Sequence, residues 1–187
     1  MTPQTVEVLD HSPVGAKLND AQLRATANAA QRGLVRHVPA GTGPAYWGPG
    51  ELMTFLITGK ETGGAFFLAE ISVPPGGGPP PHIHTREDES FQIIEGSLTV
   101  QVGGDKITAS AGDFVYLPRG IAHGFRNSGD GYAKALVLTT PAGLEGFFAE
   151  VFEPAADHAT PPPVSRELIA RAQVAAPRYG LELLPPA

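Results

Sequence analysis

The chain contains no cysteine. Disulfides, thiolate metal sites and a cysteine nucleophile are therefore excluded. Basic residues are few: 13 Lys and Arg stand against 19 Asp and Glu, a net charge of −6 at pH 7. With no Lys/Arg cluster, the composition speaks against nucleic acid and against an anionic membrane as partners. No segment approaches the ~18 uninterrupted apolar residues of a membrane helix. Met1 to Asp20 lacks the basic start and apolar run of a signal peptide, so a cytoplasmic chain is expected.

What is present points to a packed β protein. The 187 residues suit about one domain, and 42% hydrophobic against 17% charged residues fits a globule with a real core. Glycine (23) and proline (19) are abundant, which implies many turns and hence many short strands. Eight short runs rich in β-formers are separated by turn residues: 52–58, 65–73, 90–96, 97–102, 105–110, 113–118, 122–127 and 134–140. Gly103-Gly104 is a two-residue turn suited to a tight hairpin, and Gly63-Gly64 is expected to do the same between the first two runs. Strands this short and this closely spaced predict an antiparallel sandwich or barrel.

Helical patterns flank the β region. NDAQLRATANAAQRGL, from Asn19, can be capped by Asn19 or Asp20 and ended by Gly33, with Leu23, Ala27 and Ala30 on one weak apolar face. Such a helix is expected to lean on the main domain or on a second subunit. GLEGFFAEVF (143–152) and SRELIARAQVA (165–175) follow the strands, separated by the Pro-rich HATPPPV. YGLELLPPA then reads as an extended segment. The expected organisation is an N-terminal arm and helix over 1–39, a β barrel over 40–141, and helices and tail over 142–187.

The histidines cluster. His82 and His84 flank Ile83, Glu89 follows five residues on, and His123 lies on another expected strand. An H-x-H pair on a strand points both rings to one face, because side chains alternate with period two. Glu89 opens the next run, so a single wall could present these three groups. His123 would complete a set of three imidazoles and one carboxylate. Those donors suit one divalent ion among Fe, Ni, Mn, Zn, Co and Cu better than Mg or Ca.

The framing of these residues carries a resemblance. Gly76, His82, His84, Glu89 and Gly96 form one spaced pattern, and Gly112, Pro118, Gly120, His123 and Asn127 form a second. Together they resemble the two signature motifs of the cupin superfamily. The resemblance implies an all-β cupin jelly-roll barrel (a double-stranded β-helix), here with flanking N- and C-terminal helices, and a metal held by His82, His84, Glu89 and His123. HIHTREDESFQIIEGSLTVQVGG with GDFVYLPRGIAHGFRN looks most like single-domain quercetin 2,3-dioxygenase-like cupins. That likeness implies ring opening of a flavonol-like, aromatic or enolic small molecule by dioxygen, with Glu89 as general base. It also implies a homodimer, a common state of single-barrel cupins. A non-oxidative isomerase, cyclase or lyase, or a ligand-binding cupin without activity, are the alternatives.

Period two nominates the pocket wall. Phe91 lies two residues from Glu89, and Phe125 two from His123. Met53 and Phe55 lie on the first run, with Tyr46 and Trp47 expected at the rim just before it. Arg86, Glu87 and Asp88 read as a solvated loop, and Arg119 as serving the hairpin surface. His11, His37 and His158 read as surface.

Overall fold

The computed structural model describes residues 19–31, 35–159 and 161–185. The chain divides into two units at His37/Val38, and each is taken by itself. The described element of the first is α1 (Asp20–Gln31). Asn19 caps it: its Oδ1 accepts from Gln22 N–H, while Gln22 Oε1 accepts from Asn19 N–H, both at 2.9 Å. His11 and Gly33 lie outside the described residues.

The second unit is built of short antiparallel strands. In chain order they are β1 (Ala45–Gly48), β2 (Glu51–Ile57), β3 (Phe67–Val73), β4 (His82–His84), β5 (Asp88–Glu95), β6 (Ser97–Val102), β7 (Asp105–Ser110), β8 (Phe114–Leu117), β9 (His123–Arg126), β10 (Ala133–Thr140), β11 (Glu153–Pro154) and β12 (Leu181–Leu183). One sheet runs β11-β1-β2-β3-β10-β5-β8, and the other β12-β4-β9-β6-β7. Burial alternates strictly along β3 and nearly throughout β10, the signature of strands with one face on a core. Phe67, Ile71, Phe91, Leu98 and Val100 fill the space between the sheets. This is the two-sheet jelly roll of the cupin fold.

Each of the eight expected runs contains a strand, and Val102 faces Asp105 across the Gly103-Gly104 turn. Gly63-Gly64 does not close a hairpin on its own. A one-turn helix, α2 (Gly59–Thr62), precedes it, because the Glu61 carboxylate accepts from both the N–H and the hydroxyl of Thr58. Gly63 then ends that turn with a left-handed φ of 66°.

Two helices follow the strands, α3 (Glu145–Val151) and α4 (Arg166–Ala175). The first puts Phe147, Phe148 and Val151 into the core. The second is capped by Ser165, whose hydroxyl accepts from Leu168 N–H at 3.0 Å, and buries Leu168, Ala172 and Ala175. A 3-10 turn (Ala176–Tyr179) leads into β12, which lies antiparallel along β4 with Leu181 facing His84. The tail is thus an added strand on the histidine strand itself. Among the described residues no helix is long and apolar enough to cross a membrane.

Candidate metal centre

Three strands bring the four expected ligands together. His82 and His84 stand on β4 and point inward, both buried. His123, the first residue of β9, sits directly across the ladder from His82. Glu89 comes from β5, in the other sheet. The expectation of one wall carrying both histidines and Glu89 is therefore corrected. Residues 85–87 cross between sheets, so the carboxylate faces the imidazoles across the interior. One ligand atom from each of the four lies within 4.8 Å of all the others.

Hydrogen bonds set how the rings present themselves. His82 Nδ1 donates to Pro80 O and His123 Nδ1 to Ile121 O, each at 2.9 Å. Such bonds fix the ring orientation and turn Nε2 toward the centre. His123 Nε2 also donates to Glu89 Oε2 at 3.0 Å, and His84 Nε2 lies 3.8 Å from the same oxygen. Burial, helped by the charge of His84, pushes His82 down to about 4, so its ring is neutral at pH 7. Burial also lowers His84. Burial opposes charge on His123 and on Glu89 too. There the hydrogen bond between them prevails, raising the imidazole and lowering the carboxylate. Three imidazoles and an ionised carboxylate, buried and converging, fit one divalent transition ion of the kinds named above.

In the charged loop beside the cluster Arg86 is exposed as expected, but Glu87 is not. Glu87 is buried, with Oε2 3.9 Å from His84 Nδ1, and neither atom has a hydrogen-bond partner among the described residues. Burial pushes its carboxyl up to about 7. Asp88 is likewise engaged. Arg119 donates to it through Nε and Nη2, both at 3.0 Å, which holds Asp88 down at about 2 and ties β5 to the turn after β8. Asn127, at the end of β9, donates to Val73 O and Gly131 O and accepts from Gly129 N–H, holding the adjoining turns.

A cavity of about 910 Å³ opens from this cluster. His82, His84 and Glu89 line it, while His123 stands behind them, bonded to Glu89 and packed against both other rings. Of the expected wall residues, Met53, Phe91 and Phe125 line the cavity, the two phenyl rings edge to face at 5.2 Å. Phe55 and Tyr46 instead pack against each other in the adjoining core, at 4.9 Å. Trp47 faces away. It is buried with Ala45 and Leu52 in a separate cluster, and its indole N–H donates to Asp157 O. The reason is phase: β1 begins at Ala45, so Tyr46 and Trp47 are strand residues on opposite faces rather than rim residues. His37 and His158 are exposed, as expected. Sequence reasoning missed Glu51. It is the first residue of β2, only 4% exposed, and it lines the cavity on the face shared with Met53. The available signal was its distance of two from Met53.

Comparison with known proteins agrees with this architecture. The cupin domain profile matches residues 69–139, a span holding all four converging side chains. Quercetin 2,3-dioxygenase of Bacillus subtilis is 28% identical over 111 residues, covering 59% of this chain and 33% of that protein. Germin-like protein 1-1 of Oryza sativa subsp. japonica is 34% identical over 112 residues, covering 56% of this chain and 49% of that one. The chain thus spans half or less of the length of these two relatives. A predicted oxalate decarboxylase from Thermotoga maritima superposes with a TM-score of 0.52 at 21% identity, covering 57% of this chain and 98% of that one. With the two-sheet jelly roll and the inward histidines inside the matched span, residues 69–139 of the chain form a cupin domain.

Proposed function

We propose that this protein is a metal-dependent dioxygenase acting on a flat aromatic or enolic molecule of the flavonol type. The carrying observation is the convergence of His82, His84, His123 and Glu89 beside a cavity walled largely by apolar side chains. The partial similarity to a quercetin 2,3-dioxygenase supports the choice of substrate class. A divalent transition metal held by those four residues would supply Lewis acidity toward an enolic oxygen and a means of activating dioxygen.

The chain's own residues do the rest. Met53, Phe91 and Phe125 clasp a planar ring and keep water from it. In the metal-free cluster Glu89 is ionised against its burial by the hydrogen bond from His123, and it is the carboxylate placed to take the enolic proton. Pro80 O and Ile121 O hold the His82 and His123 rings in place, so the carboxylate meets the substrate in a fixed frame.

The test is oxygen uptake by protein loaded separately with Ni, Fe, Mn, Co, Cu or Zn, offered quercetin and a short panel of flavonols and catechols. Uptake that needs a particular metal and disappears in Glu89→Gln, with metal still bound, is the expected result. Stoichiometric metal binding without uptake in any form would replace this reading with a non-oxidative cyclase, isomerase or lyase, or with a binding cupin.

A further inference from the structure

The cavity holds a second carboxyl that the chemistry above does not use. Glu51 follows the Gly48-Pro49-Gly50 turn, and that turn is locked against the loop leading into β4. Gly78 N–H donates to Gly50 O at 3.1 Å, and a Cβ added to Gly77 would come within 2.3 Å of the same oxygen. No side chain can be added there without moving backbone, so the start of β2 is held close to the approach to His82. Period two then puts Glu51 on the face of Met53, whose cross-strand partner Ile71 also lines the cavity. Leu52 turns the other way, toward Trp47.

Glu51 Oε2 is fully buried, with no hydrogen-bond partner among the described residues. No Lys or Arg among them pairs with this carboxyl. Buried polar atoms are nearly always satisfied, so an orphan on a cavity wall marks a place where the partner comes from outside the chain. Burial, then the charge of Glu89, pushes the carboxyl up to about 8 in the metal-free protein, and burial favours the protonated, hydrogen-bond-donating form.

We infer that Glu51 is a substrate-recognising residue: it receives the second oxygen of a ligand whose first oxygen lies at the His82, His84, His123 and Glu89 cluster. The ligand class is then a planar molecule with two neighbouring oxygens, one an acidic hydroxyl and the other a carbonyl or similar acceptor. This rests on the aromatic-substrate reading above and narrows it, because a ring with one hydroxyl would leave Glu51 unsatisfied.

The experiment is binding to zinc-loaded protein, since zinc has no redox chemistry and no turnover intrudes. The probes are 3-hydroxyflavone, with a hydroxyl beside a carbonyl, and 2-naphthol, with a hydroxyl alone, followed by their own fluorescence. Glu51→Met keeps the length and loses the donor. It is expected to weaken 3-hydroxyflavone about tenfold and leave 2-naphthol within about twofold. Glu51→Gln, whose amide still donates, is expected to stay within about threefold of the wild type for both. Glu51→Ala gives the same comparison should the Met variant lose its cooperative unfolding. Unchanged 3-hydroxyflavone binding, or equal loss of both probes in a folded variant, would overturn the Glu51 assignment and leave the dioxygenase reading standing. Wild-type protein that binds neither probe would overturn the aromatic-substrate reading and this inference with it.

Discussion

His123 Nε2 and Glu89 Oε2 stand 3.0 Å apart, one from each sheet. With Nδ1 donating to Ile121 O, both ring nitrogens of His123 act as donors, so this ring holds its proton above the ordinary imidazole value. A metal ion entering the cluster must displace that proton. Metal affinity should therefore fall as pH drops, by roughly tenfold per pH unit for one displaced proton. Calorimetric titration at about pH 6 and about pH 8, in buffers of different ionisation heat, would reveal the released proton; a pH-independent affinity would contradict it.

Glu87 should matter to the metal although it is not among the converging four. Its carboxylate is the nearest acidic group to His84 Nδ1, at 3.9 Å, and a small tilt of the ring would join them. Outer partners of this kind are worth about 10–100-fold in metal affinity. Glu87→Ala should lose affinity in that range, and Glu87→Gln, which can still accept from Nδ1, should lose less. Equal affinities in all three proteins would show that His84 is held by packing alone.

Glu51 should leave a mark on stability against pH in the metal-free protein. Its folded value of about 8 lies above the usual 4.5, so between the two the unfolded chain has lost a proton that the folded chain keeps. Stability contributed this way is complete below about 4.5 and drains as pH rises toward 8, at up to about 1.4 kcal/mol per pH unit. Urea unfolding from about pH 5 to about pH 8 should show that decline, and Glu51→Gln should flatten it. A wild type as stable at pH 8 as at pH 5 would contradict the buried, protonated carboxyl.

Leu181 supports the site from the tail. It is buried, it lines the cavity, and its strand partner is His84. Leu181→Ala should cost about 2–4 kcal/mol by opening a gap in packed apolar surface. It should also weaken metal binding at 25 °C, because the outer edge of β4 loses its backing. A variant that is destabilised yet binds metal as tightly as wild type would separate the tail from the site.

The converging side chains were legible in the sequence because both the H-x-H spacing and the flanking glycines are local facts. What crosses between sheets was not. Glu89 reads as a neighbour of His84, and only the turn at 85–87 decides that it faces the histidines from the opposite side. Trp47 reads as a rim residue because β1 is too short to announce where its alternation begins. Glu87 reads as solvent-facing among its charged neighbours, and Glu51, beside a Gly-Pro-Gly turn, drew no reading at all. Their burial comes from elements far along the chain that no local pattern contains. The eight core runs were readable for the opposite reason, since β-formers bounded by glycine and proline are strong local signals.

The pairing of β12 with β4 also sets an order of events. His82 and His84 leave the ribosome about a hundred residues before Leu181 and Leu183, the strand that will border them. Until that segment emerges, the histidine strand has an open edge, and the cavity lacks the wall supplied by Leu181 and Leu183. Metal captured before that segment emerges would meet an exposed and incomplete pocket, so the finished centre forms only once β12 is in place.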